Sequence, residues 1–301
     1  MILPYTVGNP CPWCHRVSLT LALAGLQNDV SSTRLVDDPT VARRGGWTFG
    51  RSRERSDPVF AADDLYGVYE AASPGFRGRC TAPLLVDKVT KRIVSNESRD
   101  IIKMLNALAV DLRRHSGGES PAAAAVDLRP APLVAEIDAA SAWIFEKLNN
   151  GVYRCGFATS QAAYDKAAAD VREGLEMVEA QLEATAQSLA TKETDEGALQ
   201  ATRFLLSGQA PTEADVVLLP TILRFDAAYA TLFRAGGGQL RVRDFPRLDA
   251  WLKACWALEG VPETIDLEDA LGSYYKQLFP LNPGGLVPSL PTPKDLGLGL
   301  Y

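Results

Sequence analysis

The chain has 301 residues, 47% of them apolar and 23% charged, with a net charge of −6. That length is enough for two cores of ordinary globular composition, and the acidic balance removes a general electrostatic case for DNA, RNA or an anionic membrane surface. Five cysteines without framework spacing argue against a secreted disulfide scaffold, and no apolar run approaches the roughly 18–20 residues of a membrane span.

No basic region followed by an apolar segment of signal-peptide form precedes Cys11, so the expected setting is a reducing compartment. That means the cytoplasm, or the plastid stroma once a transit peptide has been removed. MILPYTVG reads as a first strand. Val17, Leu19, Leu21, Ala22 and Leu26 then lie in a mostly buried helix ended by Gly25 and the polar Gln27-Asn28-Asp29, and Thr33 to Val36 form a second strand. Residues 38–79 look irregular, and so long a loop inside a compact domain either has a function or hides an element.

The passage TAPLLVDKVTKRIVSNESRDIIKMLNAL is the most legible. Leu84 to Val86 is a strand, Asp87 to Lys91 a hairpin turn, and Arg92 to Val94 another strand. Asn96 to Ser98 open a helix with Ile101, Ile102, Leu105 and Leu108 on its apolar stripe. Strand–helix–strand, insertion, strand–strand–helix is the order of a thioredoxin-like domain, a mixed sheet with flanking helices, over residues 1–109. Residues 110–131, rich in Gly, Pro and Ala, read as a linker.

Residues 132–277 read as an all-helical domain. Leu133, Ile137, Ala140, Ile144 and Leu148 recur at helical spacing, as do Val171, Leu175, Val178 and Leu182. Thr212 and Asp215 suit the two ends of a capping box, and Phe245-Pro246 leads a further helix over Leu248 to Ala257. The last segment, 278–301, holds five prolines and four glycines and should be an extended tail. The expected fold class is therefore α+β, a thioredoxin-like domain followed by an all-α domain.

Cys11-Pro12-Trp13-Cys14 sits after a strand and at the mouth of a helix. There the unpaired N–H groups and the macrodipole favour a thiolate. Thiol pKa values fall from about 8.5 to roughly 3.5–7.5 in such places, Pro12 suits the first helical turn, and His15 and Arg16 would add positive charge. Two plainer readings stand beside the reactive thiolate. One is a pair of inert buried cysteines; the other is half of a zinc site, although the chain has no second CxxC or CxxH pair to complete it.

A second signal is Ala82-Pro83 ahead of a strand, where thioredoxin-type domains commonly carry a cis proline with exposed backbone groups. A third is Ser95-Asn96-Glu97-Ser98 at a helix start. Its N–H groups and Ser98 hydroxyl would hold a carboxylate, and Glu97 would meet an ammonium group; an ordinary helix cap is the alternative. Together the three point to a γ-glutamyl tripeptide, glutathione, with its sulfur aimed at Cys11.

With these residues in view, the chain resembles the glutathione transferase superfamily, and within it the glutathionyl-hydroquinone reductases of the xi class and their iota-class relatives. The resemblance is carried by CPWCHR, the GWTF around Trp47, GRCTAPLLVDK, IVSNESRDIIKMLN, NNGVYRCGFATSQAAYDKA, TEADVVLLPTILRFDAAYA, SYY at 273–275 and LNPGGLVP. It implies that Cys11 is the catalytic thiolate, that Trp47, Arg79, Ala82, Pro83, Glu97 and Ser98 hold glutathione, and that Tyr153, Tyr274 and Tyr275 line the acceptor pocket. Phenol groups there would hydrogen-bond the hydroxyls of an aromatic substrate, with the rings as a stacking wall; packing between helices is the plainer role.

Three departures from the family pattern are visible. Cys14 replaces a usual alanine and Ala82 a usual valine, and members often carry a longer N-terminal segment than the one expected ahead of Cys11 here. The resemblance implies an enzyme that removes glutathione from glutathionyl-hydroquinones or from glutathione mixed disulfides. It would pass through a Cys11–glutathione mixed disulfide, with a proton supplied by Tyr153 or Tyr274, in a homodimer. Cys14 is either a resolving thiol or a bystander. Outside enzymology, the alternatives are a binding protein for a planar aromatic ligand (a flavin or flavonoid) in an inter-domain cleft, or an iron–sulfur carrier.

Overall fold

The computed structural model of the chain describes residues 5–37, 46–50, 57–115, 126–190, 203–278 and 280–298. They fold into two compact units. One comprises Met1–Ala125 with Glu263–Gln277, the other Val126–Pro262 with Leu278–Tyr301. The sequence reading assigns 263–277 to the helical domain, whereas their packing joins them to the first unit.

The first unit is built on a mixed sheet of order β3-β2-β1-β4-β5. Its strands are β1 (Tyr5–Gly8), β2 (Ser32–Asp37), β3 (Trp47–Thr48), β4 (Leu84–Asp87) and β5 (Arg92–Ser95). β1 runs parallel to β2, with Val7 opposite Arg34, and antiparallel to β4, with Thr6 opposite Leu84. The parallel pair needs a crossover, supplied by α1 (Pro12–Leu23), which is buried over most of its surface. The antiparallel β4–β5 pair needs only the turn after Asp87, whose Oδ1 accepts the N–H of Val89 and of Thr90.

The irregular segment read over 38–79 hides two elements. Besides β3, it contains α2 (Leu65–Ala72), capped by Asp64, which accepts the Gly67 N–H, and burying Leu65, Val68 and Tyr69. Residues 38–45 and 51–56 of that segment lie outside the described residues. A second difference is the end of α3 (Ser98–His115), which runs past the expected linker start at 110. Arg113, Arg114 and His115 occupy its last turn, where cations suit the negative end of the helix dipole. Ile101, Ile102 and Leu105 are buried along it as expected, while Leu108 is only partly so and Ala109 takes the inward position.

The second unit is helical. Its main helices are α4 (Val134–Trp143), α5 (Gly151–Gly156), α6 (Gln161–Ala190), α7 (Glu213–Arg224) and α8 (Pro246–Trp256). The expected apolar faces are the ones buried: Ile137, Ile144 and Leu148, then Val171, Leu175 and Val178, are all closed to solvent. α7 starts with the expected capping box, Thr212 and Asp215. π-helical turns at Ile144–Asn149 and Phe225–Tyr229 follow α4 and α7. The tail closes against this unit through Leu298, which is buried. α9 (Leu267–Gln277) returns to the first unit.

Candidate active site

Cys11 is the N-cap of α1. Its backbone is extended, Pro12 opens the helix behind it, and its sulfur accepts the Cys14 N–H at 3.4 Å. An amide donating to sulfur at the positive end of a helix stabilises a thiolate. The same sulfur lies 3.7 Å from the Ala82 carbonyl oxygen, and the Ala82–Pro83 bond is cis. The first two sequence signals therefore meet at one place. Cys14 is closed to solvent and sits in an apolar cluster with Cys80, Tyr69, Ala82 and Leu84, against which Cys11 and Trp47 also pack. All five cysteines are thiols.

The loop ending in Ala82 is clamped from behind. Tyr69 Oη donates to the Thr81 carbonyl at 2.8 Å, and Asn96 Nδ2 donates to both Tyr69 Oη and Thr81 Oγ1, at 3.0 and 3.2 Å. Burial pushes the Tyr69 phenol above its ordinary pKa, against hydrogen bonds from its neighbours that pull it down, so it stays a neutral donor. Trp47 lies on Gly8: a Cβ at Gly8 would stand 2.2 Å from the ring. Arg79 is exposed on the same loop as Ala82.

At the start of α3, Glu97 is exposed and Ser98 buried. Glu97 Oε1 accepts from the Arg99 N–H at 3.2 Å and from Ser98 Oγ at 3.4 Å. Ser98 Oγ in turn accepts from Arg16 Nη1 at 3.2 Å. Arg16 is 1% exposed, with its guanidinium 4.4 Å from the centre of the Trp13 ring. A buried cation on α1 thus ties the cysteine-bearing helix to the third sequence signal, a contact that spacing alone does not reveal.

α9 and the residues before it close round the turn ahead of Cys11. Asn9 Nδ2 donates to the Asp266 carbonyl and to Asp269, and the Asp266 N–H returns to Asn9 Oδ1. A ring nitrogen of His15 lies 2.8 Å from Thr264 Oγ1. Tyr274 Oη donates to the carbonyl of Pro10 at 3.4 Å, and both Tyr274 and Tyr275 are 6% exposed. Sequence reasoning missed Asn9, Tyr69, Thr264, Asp266 and Asp269, and placed Asn96 only at the helix start, not against Tyr69 and Thr81. The Asn-Pro pair ahead of CPWC is the one local hint of a special turn there.

Tyr153 belongs to the helical unit, on α5. Its hydroxyl lies 3.4 Å from that of Tyr229, and its ring packs among Phe157, Phe233 and Tyr229. Tyr153 follows one π-helical turn and Tyr229 ends the other; such turns are frequent at functional sites. Tyr229 was not singled out from the sequence. Among the described residues, no three His, Cys, Asp or Glu side chains are grouped as a metal site. No helix among them is long and apolar enough to cross a membrane.

Comparison with known proteins matches both units. The family model "Glutathione S-transferase, N-terminal domain" matches residues 10–108, and "Glutathione S-transferase, C-terminal domain" matches residues 161–254. The glutathionyl-hydroquinone reductase PcpF of Sphingobium chlorophenolicum is 37% identical, over 97% of this chain and 84% of its own length. Among solved structures, the glutathione-bound YqjG, a glutathione transferase homolog from Escherichia coli, is 34% identical with a TM-score of 0.79, covering 96% of this chain and 85% of that one. The xi glutathione transferase ECM4 of Saccharomyces cerevisiae, solved in complex with glutathione, is 27% identical with a TM-score of 0.83, covering 97% and 93%.

Proposed function

The chain belongs to the glutathione S-transferase family, and from that premise we propose that it is a glutathione-dependent reductase whose nucleophile is Cys11. Its substrates are glutathionyl-hydroquinones and, by the same first step, glutathione mixed disulfides. The observation that carries this reading is the Cys11 sulfur at the α1 N-cap, taking the Cys14 N–H and facing the Ala82 carbonyl. A serine hydroxyl there would hold a glutathione thiolate for conjugation; a cysteine exchanges sulfur instead.

Glutathione is the cosubstrate, and the residues present suit it. Ser98 and the first amides of α3 would take its γ-glutamyl carboxylate, and Glu97 its ammonium. The Ala82 backbone would take the cysteinyl part, with Trp47 and the exposed Arg79 at the remaining edges.

In the first step the Cys11 thiolate forms a bond to the sulfur of the glutathionyl-hydroquinone. The carbon–sulfur bond breaks, its electron pair passes to the ring carbon, and that carbon takes a proton. Tyr274, whose phenol reaches the carbonyl of Pro10, and Tyr153 on the helical unit are the groups assigned to help supply it. In the second step a glutathione thiolate attacks the glutathione sulfur of the mixed disulfide, releasing oxidised glutathione and restoring the Cys11 thiolate. A reducing compartment, cytoplasm or plastid stroma, suits a reaction that consumes reduced glutathione. The family resemblance also supports a homodimer, a part of the reading that a single-chain mass by light scattering would remove.

The test is steady-state release of hydroquinone from a glutathionyl-hydroquinone by wild type and Cys11→Ser. The serine variant should lose turnover while still binding glutathione by calorimetry. Full turnover by Cys11→Ser would sink the assignment.

A further inference from the structure

α1 begins with one thiol at its N-cap and a second at N3. In a capping box the N-cap side chain bonds the N3 amide while the N3 side chain reaches back to the N-cap. Here the N-cap is Cys11, and N3, three residues on after Pro12 and Trp13, is Cys14. Only the forward bond is present here: the Cys11 sulfur accepts the Cys14 N–H at 3.4 Å, while the Cys11 N–H donates to the Gly8 carbonyl at 3.0 Å. That bond holds the Cys11 sulfur against the backbone of Cys14, one helical turn further on. Both side chains also border the same apolar cluster.

We propose that Cys14 is a second nucleophile, one that resolves the Cys11–glutathione mixed disulfide from within the chain; this rests on the reading of Cys11 given above. Cys14 is 0% exposed, so glutathione from solution cannot reach it. A sulfur carried by Cys11 can. In the step, the Cys14 sulfur bonds to the Cys11 sulfur, the Cys11–glutathione bond breaks, and the departing glutathione thiolate takes the Cys14 proton. The products are a Cys11–Cys14 disulfide and reduced glutathione, with no other oxidant needed. Two glutathione thiols then regenerate the dithiol, forming oxidised glutathione through a renewed mixed disulfide at Cys11. Release of the first glutathione therefore does not depend on free glutathione, and a scarce glutathione pool leaves the enzyme as a closed disulfide.

Cys80 supplies an internal control. It is equally buried, in the same cluster, but lies on the loop before Ala82 and not on α1. The experiment mixes reduced, glutathione-free protein with one equivalent of oxidised glutathione, quenches with acid and weighs the intact chain. Wild type, Cys14→Ser and Cys14→Ala are compared; the wild-type result stands even if one variant folds poorly. Wild type should be two hydrogens lighter, with no glutathione retained and peptide mapping joining Cys11 to Cys14, while both variants keep one glutathione on Cys11. A wild type that keeps its glutathione as fully as the variants overturns the proposal, and so does a bond from Cys11 to Cys80. Variants that take up no glutathione at all would instead strike the Cys11 nucleophile itself, and this inference with it.

Discussion

At Gly8 a missing side chain makes room for the Trp47 ring: an added Cβ would stand 2.2 and 2.3 Å from two of the ring's carbons. The ring is the movable party, so Gly8→Ala should turn Trp47 without unfolding the sheet. If Trp47 borders glutathione, the KM for glutathione should rise about tenfold, equivalent to roughly 1.4 kcal/mol, while kcat holds. Steady-state kinetics with glutathione varied tests this, and an unchanged KM would remove Trp47 from the site. The place of Cys11 at the start of α1 was legible in the sequence because an apolar strand pattern before it and a helical pattern after it mark the junction. The Trp47–Gly8 contact was not, because it joins residues on β3 and β1, two strands that are not sheet neighbours.

Among the elements, α7 shows how much a local signature conveys and where it stops. Thr212 and Asp215 announce a helix start, and the structure contains the box: Asp215 Oδ2 accepts from the Thr212 N–H at 2.7 Å and its hydroxyl at 3.0 Å. The other carboxylate oxygen does work the sequence does not show, accepting the Leu205 N–H at 2.9 Å and the Trp251 indole N–H at 2.7 Å. Asp215 thus ties α7 to α8 and to the chain before it. Asp215→Ala would strand several buried donors, each worth about 1–3 kcal/mol when left unsatisfied, and should destabilise the protein by about 3 kcal/mol or more. Urea unfolding of the variant checks this; a loss near 1 kcal/mol would mean the residue acts as a helix cap alone. α2 escaped the sequence reading for the opposite reason. It is eight residues long, contains Gly67, and folds because Leu65, Val68 and Tyr69 have a core to enter.

On the scale of the whole molecule, several carboxyls in this acidic chain are pushed above their ordinary range by burial, Asp37, Asp57 and Asp226 among them. Asp37 ends β2, accepts a hydrogen bond from Ser273 on α9, and offers its carbonyl to Gln277. Burial raises its carboxyl above 3.8 and the Ser273 bond only partly offsets this, with Asp269 adding to the rise. A raised carboxyl holds its proton more tightly in the folded state. Its contribution is complete below the unfolded value and is lost as pH rises through the folded one. Relative to wild type, Asp37→Asn should therefore gain stability as pH climbs from about 4 and then level off. Urea midpoints across that range decide it, and a constant difference would mean that Asp37 titrates as in the unfolded chain. The sequence by itself determined the two-part architecture, the helix start at Cys11, the capped α7 and the family, because periodicity, capping and CPWC are local statements about a chain and its neighbours along it. Only the tertiary structure decided that α9 packs round the turn ahead of Cys11, that Arg16 bonds Ser98, and that Tyr69 and Asn96 brace Thr81. Those contacts join residues far apart along the chain, and it is burial in a shared core, not spacing in the sequence, that selects them.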